Sequence, residues 1–376
     1  MNPMRDVVDV HVLQTLPPSC LNRDDTNAPK SALYGGARRA RVSSQSWKRA
    51  TRRYFNEHLA TGDAGLRTRK LADLLAERLA ERLGSAESVD EKAVAKLVNT
   101  ATGALLGLKP DKLAKRGEQE ELADLEYALF ISESAIAAAL DQLAAAARGG
   151  ELDTEALKAA MGKGHSLDVA LFGRMIADTP DLNVDAACQV AHAISTHRVS
   201  AEFDFYTTVD DLAGEDESGA AMMGYVEFTS ATLSRFATLS LGRLADNLGD
   251  EGAVAPGVRS FVEGFVKSLP TGHQNTFAAI TLPDLVLVSL REDQPVSLVG
   301  AFEQPVESAP GYLGESAKRL AEQADHLDEL YGVPRVASFA SYLPALKDVG
   351  AHLGESVAFP ALLDALESAV RDRLAR

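Results

Sequence analysis

Cysteine is nearly absent: Cys20 and Cys188 are the only two in 376 residues. They stand far apart and outside any paired spacing, which excludes a disulfide framework and a thiol-ligated metal. No charge-free apolar run reaches the roughly 20 residues a membrane-spanning helix needs. The opening MNPMRDVVDV carries acidic residues where a signal peptide needs an apolar core, so a cytoplasmic protein with no membrane contact is expected. A GxxxxGK[ST] phosphate loop is missing, which leaves nucleotide hydrolysis without support. Nor is there an internal repeat of the kind that builds solenoids. The most informative absence is local. Between Asp25 and Glu57 there is no acidic residue, although the whole chain has a net charge of -16 and a pI of about 5.0.

That acid-free stretch holds Lys30, Arg38, Arg39, Arg41, Lys48, Arg49, Arg52 and Arg53. Ser43 or Ser44 is placed to cap a helix starting near Gln45, because a serine oxygen accepts from the unpaired amides of a first turn. At roughly 100° per residue, Lys48, Arg49, Arg52 and Arg53 share one face, while Trp47, Ala50, Tyr54 and Phe55 share the other. One face packs and the other is a ladder of cations. Helix N-termini favour anions, so Ser43, Ser44, Gln45 and Ser46 sit where a phosphate is welcome. A polyanion bound in a local basic groove suits a chain whose remaining surface is acidic.

Around this segment the pattern is α+β, with one main core and a large insertion or second lobe. Residues 7 to 13 read as a first strand that leads into a long loop containing Asn22-Arg23-Asp24-Asp25. Apolar residues spaced by three and four predict a nearly all-helical lobe from Leu66 to Met161. Strand character is expected over residues 166 to 176 and a helix over VDAACQVAHAISTH, where the five-residue spacing of His192 and His197 argues against a zinc pair. Two aromatic, β-branched strands follow, joined by a polar tip from Ala213 to Gly219; exposed Phe205, Tyr206 and Met222 or Met223 at such a ribbon's end suit bases that stack or are pried apart. A helix, a buried strand over Leu285 to Leu290, and helices over SAKRLAEQADHLDELYG and from Phe359 to Leu374 complete the reading. Asp24-Asp25 and Asp210-Asp211 are the visible carboxylate pairs that a metal-dependent RNA endonuclease would need. No motif places a base beside them, and adjacent Asp residues are common in turns. No catalytic residue, metal site or cofactor is therefore assigned.

Several motifs occurring in order, SCLNRDD (19 to 25), GGARRARVSSQSWKRATR (35 to 52), LDVALFGRM (167 to 175), AHAISTH (191 to 197), DFYTTVDDL (204 to 212) and GHQNTFAA (272 to 279), resemble the CasC family, the repeated backbone subunit of the type I-E CRISPR surveillance complex Cascade. The resemblance implies an RRM-like (ferredoxin-like) palm with an inserted helical fingers lobe and a β-hairpin thumb. On this chain the expected division is 1 to 60 palm with the basic helix, 61 to 165 fingers, 166 to 199 palm, 200 to 228 thumb, and 229 to 376 the rest of the palm with C-terminal helices. It implies that copies of the protein stack along a guide RNA (crRNA), bind its backbone in the palm and insert a thumb at a kinked nucleotide. Base pairing then reads the target DNA through the guide heteroduplex. Other Cascade subunits and a separately recruited nuclease are the further implied partners. Carried onto this sequence, Ser44, Gln45, Lys48, Arg49 and Arg52 would hold phosphates, with Arg38, Arg39 and Arg41 close by and Asn22 and Arg23 lining the same groove. Met175 would press on a displaced base, Phe205, Tyr206, Thr207 and Val209 would form the thumb surface, and His273 would add a further RNA contact.

Overall fold

The computed structural model describes residues 6–59, 64–84, 91–108, 122–162, 164–176, 179–208, 222–308 and 310–376. In chain order the elements are β1 (Val7–Ser19), β2 (Ser31–Tyr34), β3 (Ala37–Val42), α1 (Ser44–His58), β4 (Leu66–Thr68), α2 (Leu71–Leu83), α3 (Glu91–Leu105), β5 (Leu129–Ile131), α4 (Glu133–Ala147), α5 (Thr154–Ala160) and α6 (Leu167–Phe172). There follow β6 (Cys188–Val190), β7 (Ala193–Ser195), β8 (Glu202–Thr208), β9 (Met222–Ser240), α7 (Leu241–Leu248), α8 (Val254–Lys267), α9 (Gln274–Phe277), β10 (Leu285–Arg291), α10 (Leu313–Tyr331), β11 (Ala337–Tyr342), α11 (Lys347–Gly350) and α12 (Phe359–Leu374). None of these helices is long and apolar enough to cross a membrane. They form two compact units, one comprising Tyr54–Gln189 with Leu239–Gly257, the other Met4–Arg53, Val190–Thr238 and Val258–Arg376.

The second unit is built on a sheet of order β11-β10-β1-β9-β7-β3-β2. Strand pairs β1/β10, β10/β11, β2/β3, β3/β7 and β7/β9 run antiparallel. Every residue of β10 is buried, Ser289 and Arg291 included, as its largely apolar run requires of a strand covered on both faces. Leu13, Leu285 and Leu287 join Leu320, Ala321 and Ala324 of α10 and the wholly buried Phe302 in one core. Among the described residues of the first unit the core is helical. Leu71, Leu75 and Leu79 of α2 meet Val98, Ala101 and Leu105 of α3 and Ile136, Leu140 and Leu143 of α4, the spacing of three and four that a buried helix face needs. Ser132 caps α4, accepting from the Ala135 amide at 3.2 Å, and the short pair β4/β5 aligns Leu66 with Ile131.

Three expectations are corrected. The long loop after the first strand is shorter than expected: β1 runs on to Ser19, and β2 and β3 form a hairpin with Tyr34 opposite Ala37. Its two-residue turn, Gly35-Gly36, has φ of 56° and 70°, the left-handed pair that matches the twist of the flanking strands. Residues 167 to 172 are helical instead of extended. The segment expected to be a helix over VDAACQVAHAISTH contains β6 and β7. Its alanines favour a helix locally, but Ile194 pairs with Arg41 of β3 and Ser234 of β9, and tertiary pairing overrides propensity.

Candidate nucleic-acid interface

The first turn of α1 is held by its neighbours. Ser43 Oγ accepts from the Ser46 amide at 3.3 Å, and the Ser43 carbonyl accepts from Ser46 and Trp47. The Ser43 amide donates to Asn22 Oδ1 at 2.9 Å and the Ser44 amide to His192 Nδ1 at 3.0 Å. Lys30 N–H donates to the Asn22 carbonyl, and Arg41 N–H to the Lys30 carbonyl, each at 2.9 Å. Asn22, Lys30, Arg41 and His192 are thereby gathered at the positive end of a 15-residue helix. Their proximity is visible in the His192 imidazole, whose pKa is lowered first by burial and then by the Arg41 and Lys30 charges. Asn22, Lys30 and Arg41 also rim a cleft floored by Leu16, Leu21 and Leu233.

Along α1, Trp47, Ala50, Thr51 and Phe55 are buried, Lys48 and Arg52 are half-buried, and Gln45, Arg49 and Arg53 are exposed. The buried side is anchored by an unusual contact. The Arg235 guanidinium of β9 lies 3.7 Å from the centroid of the Trp47 ring and 4.5 Å from that of Phe265, and its Nη1 donates to Gln14 Oε1 at 2.7 Å. Arg53 reaches Thr271 Oγ1 at 3.3 Å. Next to Thr271, a Cβ at Gly272 would lie 2.4 Å from the Leu21 carbonyl oxygen, so only glycine allows this loop to lie against the chain leading into Asn22. His273 and Ala278, on either side of α9, hold φ of 48° and 47°, and His273 Nε2 and Gln274 Oε1 are buried without a hydrogen-bond partner among the described residues. Strained backbone and unsatisfied polar atoms of this kind cluster at functional sites.

The ribbon is a regular antiparallel pair in which Phe205 opposes Tyr225, Thr207 opposes Met223 and Phe203 opposes Glu227. Period-two alternation puts Phe203, Phe205, Tyr225 and Met223 on one face. They are 64%, 51%, 72% and 63% exposed, and Phe205 and Tyr225 touch with centroids 5.2 Å apart. Tyr206 is on the opposite face, its ring against Gly224.

The family model described as CT1975-like protein matches residues 8–365. The chain belongs to that family. One similar solved chain, 34% identical with a TM-score of 0.85, comes from a structure titled CRISPR RNA-guided surveillance complex, pre-nicking; the match covers 97% of this chain and 100% of that one. Another, 30% identical with a TM-score of 0.62, comes from a structure titled CRISPR RNA-guided surveillance complex and covers 96% and 99%. No curated protein matches. Membership agrees with the CasC resemblance of the motifs.

Most of the residues assigned from the motifs lie in this family member's second unit. Asn22, Arg41 and Ser44 meet at the helix terminus, Gln45 and Arg49 are exposed on its first turns, and Arg38 is exposed with Nη1 donating to Ser31 Oγ at 2.8 Å. Arg23 is exposed and donates to Asn27 Oδ1. Arg39 is the exception. Its side chain is fully buried, and Nη1 and Nη2 donate to the carbonyls of Ser195, Thr196, Phe302 and Glu303 at 2.8 to 3.2 Å. That guanidinium ties the sheet to the chain around Phe302 and has no donor turned outward for a phosphate, so Arg39 drops out of the RNA contacts expected of it beside Arg38 and Arg41. Met175 belongs to the first unit and is 81% exposed. It follows Arg174, a buried guanidinium fixed on the Met161 and Leu182 carbonyls at 2.8 Å. Val209, the tip of the ribbon, and Asp210-Asp211 lie outside the described residues. Asp24 is a turn residue: Oδ1 accepts from the amides of Thr26 and Ala28 and from the Thr26 hydroxyl. Among the described residues no group of three or more His, Cys, Asp or Glu side chains could hold a metal ion. The role of His192 as acceptor for the helix terminus escaped the sequence reading, because a spacing argument about two histidines says nothing about a partner 148 residues away.

Proposed function

We propose that this protein is the guide-RNA-binding backbone subunit of a type I-E Cascade complex in the cytoplasm. Copies of it stack on the crRNA, with an RRM-like palm holding the phosphates and the β8/β9 ribbon acting as the thumb. One observation carries the reading. In a chain of net charge -16, Lys30 and Arg41 gather with Asn22 and His192 at the N-terminus of α1, and Arg38, Arg41 and Arg49 have no carboxylate partner among the described residues. Both solved relatives come from CRISPR RNA-guided surveillance complexes. Asn22, Arg23, Arg38, Arg41, Ser44, Gln45, Lys48, Arg49 and Arg52 contact the sugar-phosphate chain, with His273 close to the same path. Such contacts position a strand without reading it, so base pairing to target DNA supplies the specificity. Met175 bears on a displaced base. Chemistry on the target falls to a separately recruited nuclease, and the remaining Cascade subunits cap the assembly.

Single-stranded RNAs of unrelated sequence should therefore bind with similar affinity in fluorescence anisotropy, with a log-log salt slope near -0.7 per phosphate neutralised. The strands should stay intact in magnesium. A strong preference for one short sequence, or metal-dependent cleavage, would sink this reading.

The thumb is tested separately. Phe205→Ala with Tyr206→Ala removes stacking surface worth about 1–3 kcal/mol for each base contact and no charge. Salt slope should be unchanged, while native mass spectrometry shows failed multi-copy assembly on a long guide and footprinting loses its periodic reactive nucleotides. Normal assemblies with an unaltered footprint would leave these rings without a role at the RNA.

A further inference from the structure

Burial changes abruptly on both sides of Met175. That residue is 81% exposed, whereas Arg174 before it is 5% and Ile176 after it 0% exposed. The short segment is braced at every backbone position. Arg174 pairs with Val184 in an antiparallel bridge, the Arg174 amide donating to the Val184 carbonyl at 3.0 Å and the Val184 amide to the Arg174 carbonyl at 2.8 Å. The Ile176 amide donates to Asn183 Oδ1 at 2.6 Å. Gly173 has a φ of 77°, and a Cβ there would lie 2.6 Å from the Val184 carbonyl oxygen, so glycine alone permits this approach. Alternation along the extended backbone then turns Arg174 and Ile176 inward and the Met175 thioether outward.

Beneath the segment, Ile176 joins Met161 and Leu182 in the helical core of the first unit. Arg174 spans the last two of these. Its Nε and Nη2 donate to the Leu182 carbonyl at 3.1 and 2.8 Å, and Nη2 also donates to the Met161 carbonyl at 2.8 Å. Met161 is where α5 ends, and the carbonyl end of a helix favours a cation. No carboxylate among the described residues pairs with this guanidinium, and burial pushes it down to about 10. A buried cation without a counter-ion is an unfavourable way to fill space that an apolar side chain could occupy. What the planar fork supplies is a fixed geometry between two carbonyls, one at the end of α5 and one in the turn before Asn183.

We propose that Arg174 is the positioning residue for Met175: by tying those two carbonyls together it presents the thioether rigidly to the displaced base, so that the kink in the bound guide depends on how the helical core is packed. This rests on the reading of Met175 as a base contact. An apolar wedge on a loose loop would lose conformational freedom at every contact, whereas a braced one has already lost it in folding.

The test uses full-length protein assembled on a long single-stranded guide and read by chemical footprinting of the bases. Met175→Ala should lower the reactivity of the displaced nucleotides at least about threefold, because the wedge that opposes stacking is gone. Arg174→Gln should produce the same change at the same nucleotides, with salt slope as in wild type. The double variant should be no worse than Met175→Ala alone, since a residue that acts only through Met175 adds nothing once that side chain is removed. Hydrogen exchange without RNA gives a second readout. In Arg174→Gln the amides of residues 174, 176 and 184 should exchange at least about tenfold faster, while α2 and α4 keep their protection. Asn183→Ala removes an exposed side chain and only the acceptor of the Ile176 amide, so it should show a milder form of both effects and decides the matter if Arg174→Gln does not fold. A Met175→Ala effect that neither Arg174→Gln nor Asn183→Ala reproduces overturns the positioning role alone, as do additive losses in the double variant or unchanged exchange. A Met175→Ala footprint identical to wild type overturns the base-contact reading and, with it, any role for Arg174 at the RNA.

Discussion

Reversing two charges on α1, Lys48→Glu with Arg52→Glu, is expected to weaken binding of single-stranded RNA by at least about a hundredfold at moderate salt. The two residues are one turn apart on the same flank of the helix and are neighbours in space, and both side chains are half-buried. Hydrogen bonds to charged groups contribute about 1.5–3 kcal/mol each, and every 1.4 kcal/mol is about tenfold in affinity. Losing two phosphate contacts therefore accounts for the effect before the added repulsion is counted. The salt slope should flatten by about 0.7 for each phosphate released. Because Lys48 and Arg52 also have interactions inside the protein, a thermal melt must accompany the binding curve. Undiminished affinity in a normally folded variant would remove α1 from the RNA path.

The second large effect concerns the same helix from beneath. Trp47→Ala should destabilise the fold by about 3–5 kcal/mol, the usual cost of truncating a buried aromatic, and shift the urea midpoint measured by far-UV circular dichroism accordingly. Trp47 is completely buried, and its ring is one wall of the Arg235 site. Burial pushes the Arg235 guanidinium down to about 9, so the cation depends on the Trp47 and Phe265 π-faces and on Gln14 and the Phe265 carbonyl. The indole N–H, by contrast, has no acceptor among the described residues. Trp47→Phe, which keeps a ring and removes that unpaired donor, should cost much less than Trp47→Ala. Equal losses for the two would show that ring contact with Arg235 contributes little. Arg49→Ala, on the exposed side, should stay within about 0.5 kcal/mol of wild type.

The basic helix and the ribbon were legible in the sequence because each is a long element with an uninterrupted period. A cation ladder on a 3.6-residue repeat and alternating aromatics on a two-residue repeat survive any tertiary context. The stretch from 166 to 197 was not legible. Its elements are three to six residues long, too short for periodicity to decide, and β7 owes its existence to partners at Arg41 and Ser234. The site shows the same division. Exposed cations could be counted from the sequence, but the exclusion of Arg39 depends on four carbonyls between Ser195 and Glu303. The joining of Asn22, His192 and the helix terminus likewise depends on strand order in the sheet.

Arg38 and Arg39 are the same residue twice, yet the hairpin of β2 and β3 gives them opposite fates, one in solvent and one sealed beneath it. A lysine at position 38 keeps a mobile point charge and changes little. At position 39 a single ammonium cannot span two pairs of carbonyls that a planar fork reaches from two nitrogens. Inserting one residue into the hairpin would do worse than a substitution at position 38, since it would shift the inward guanidinium along the strand, out of register with the four carbonyls it now spans. The length of this stretch is thus constrained more tightly than its composition, so laboratory variation of its charges should exchange residues at fixed positions and leave the spacing alone.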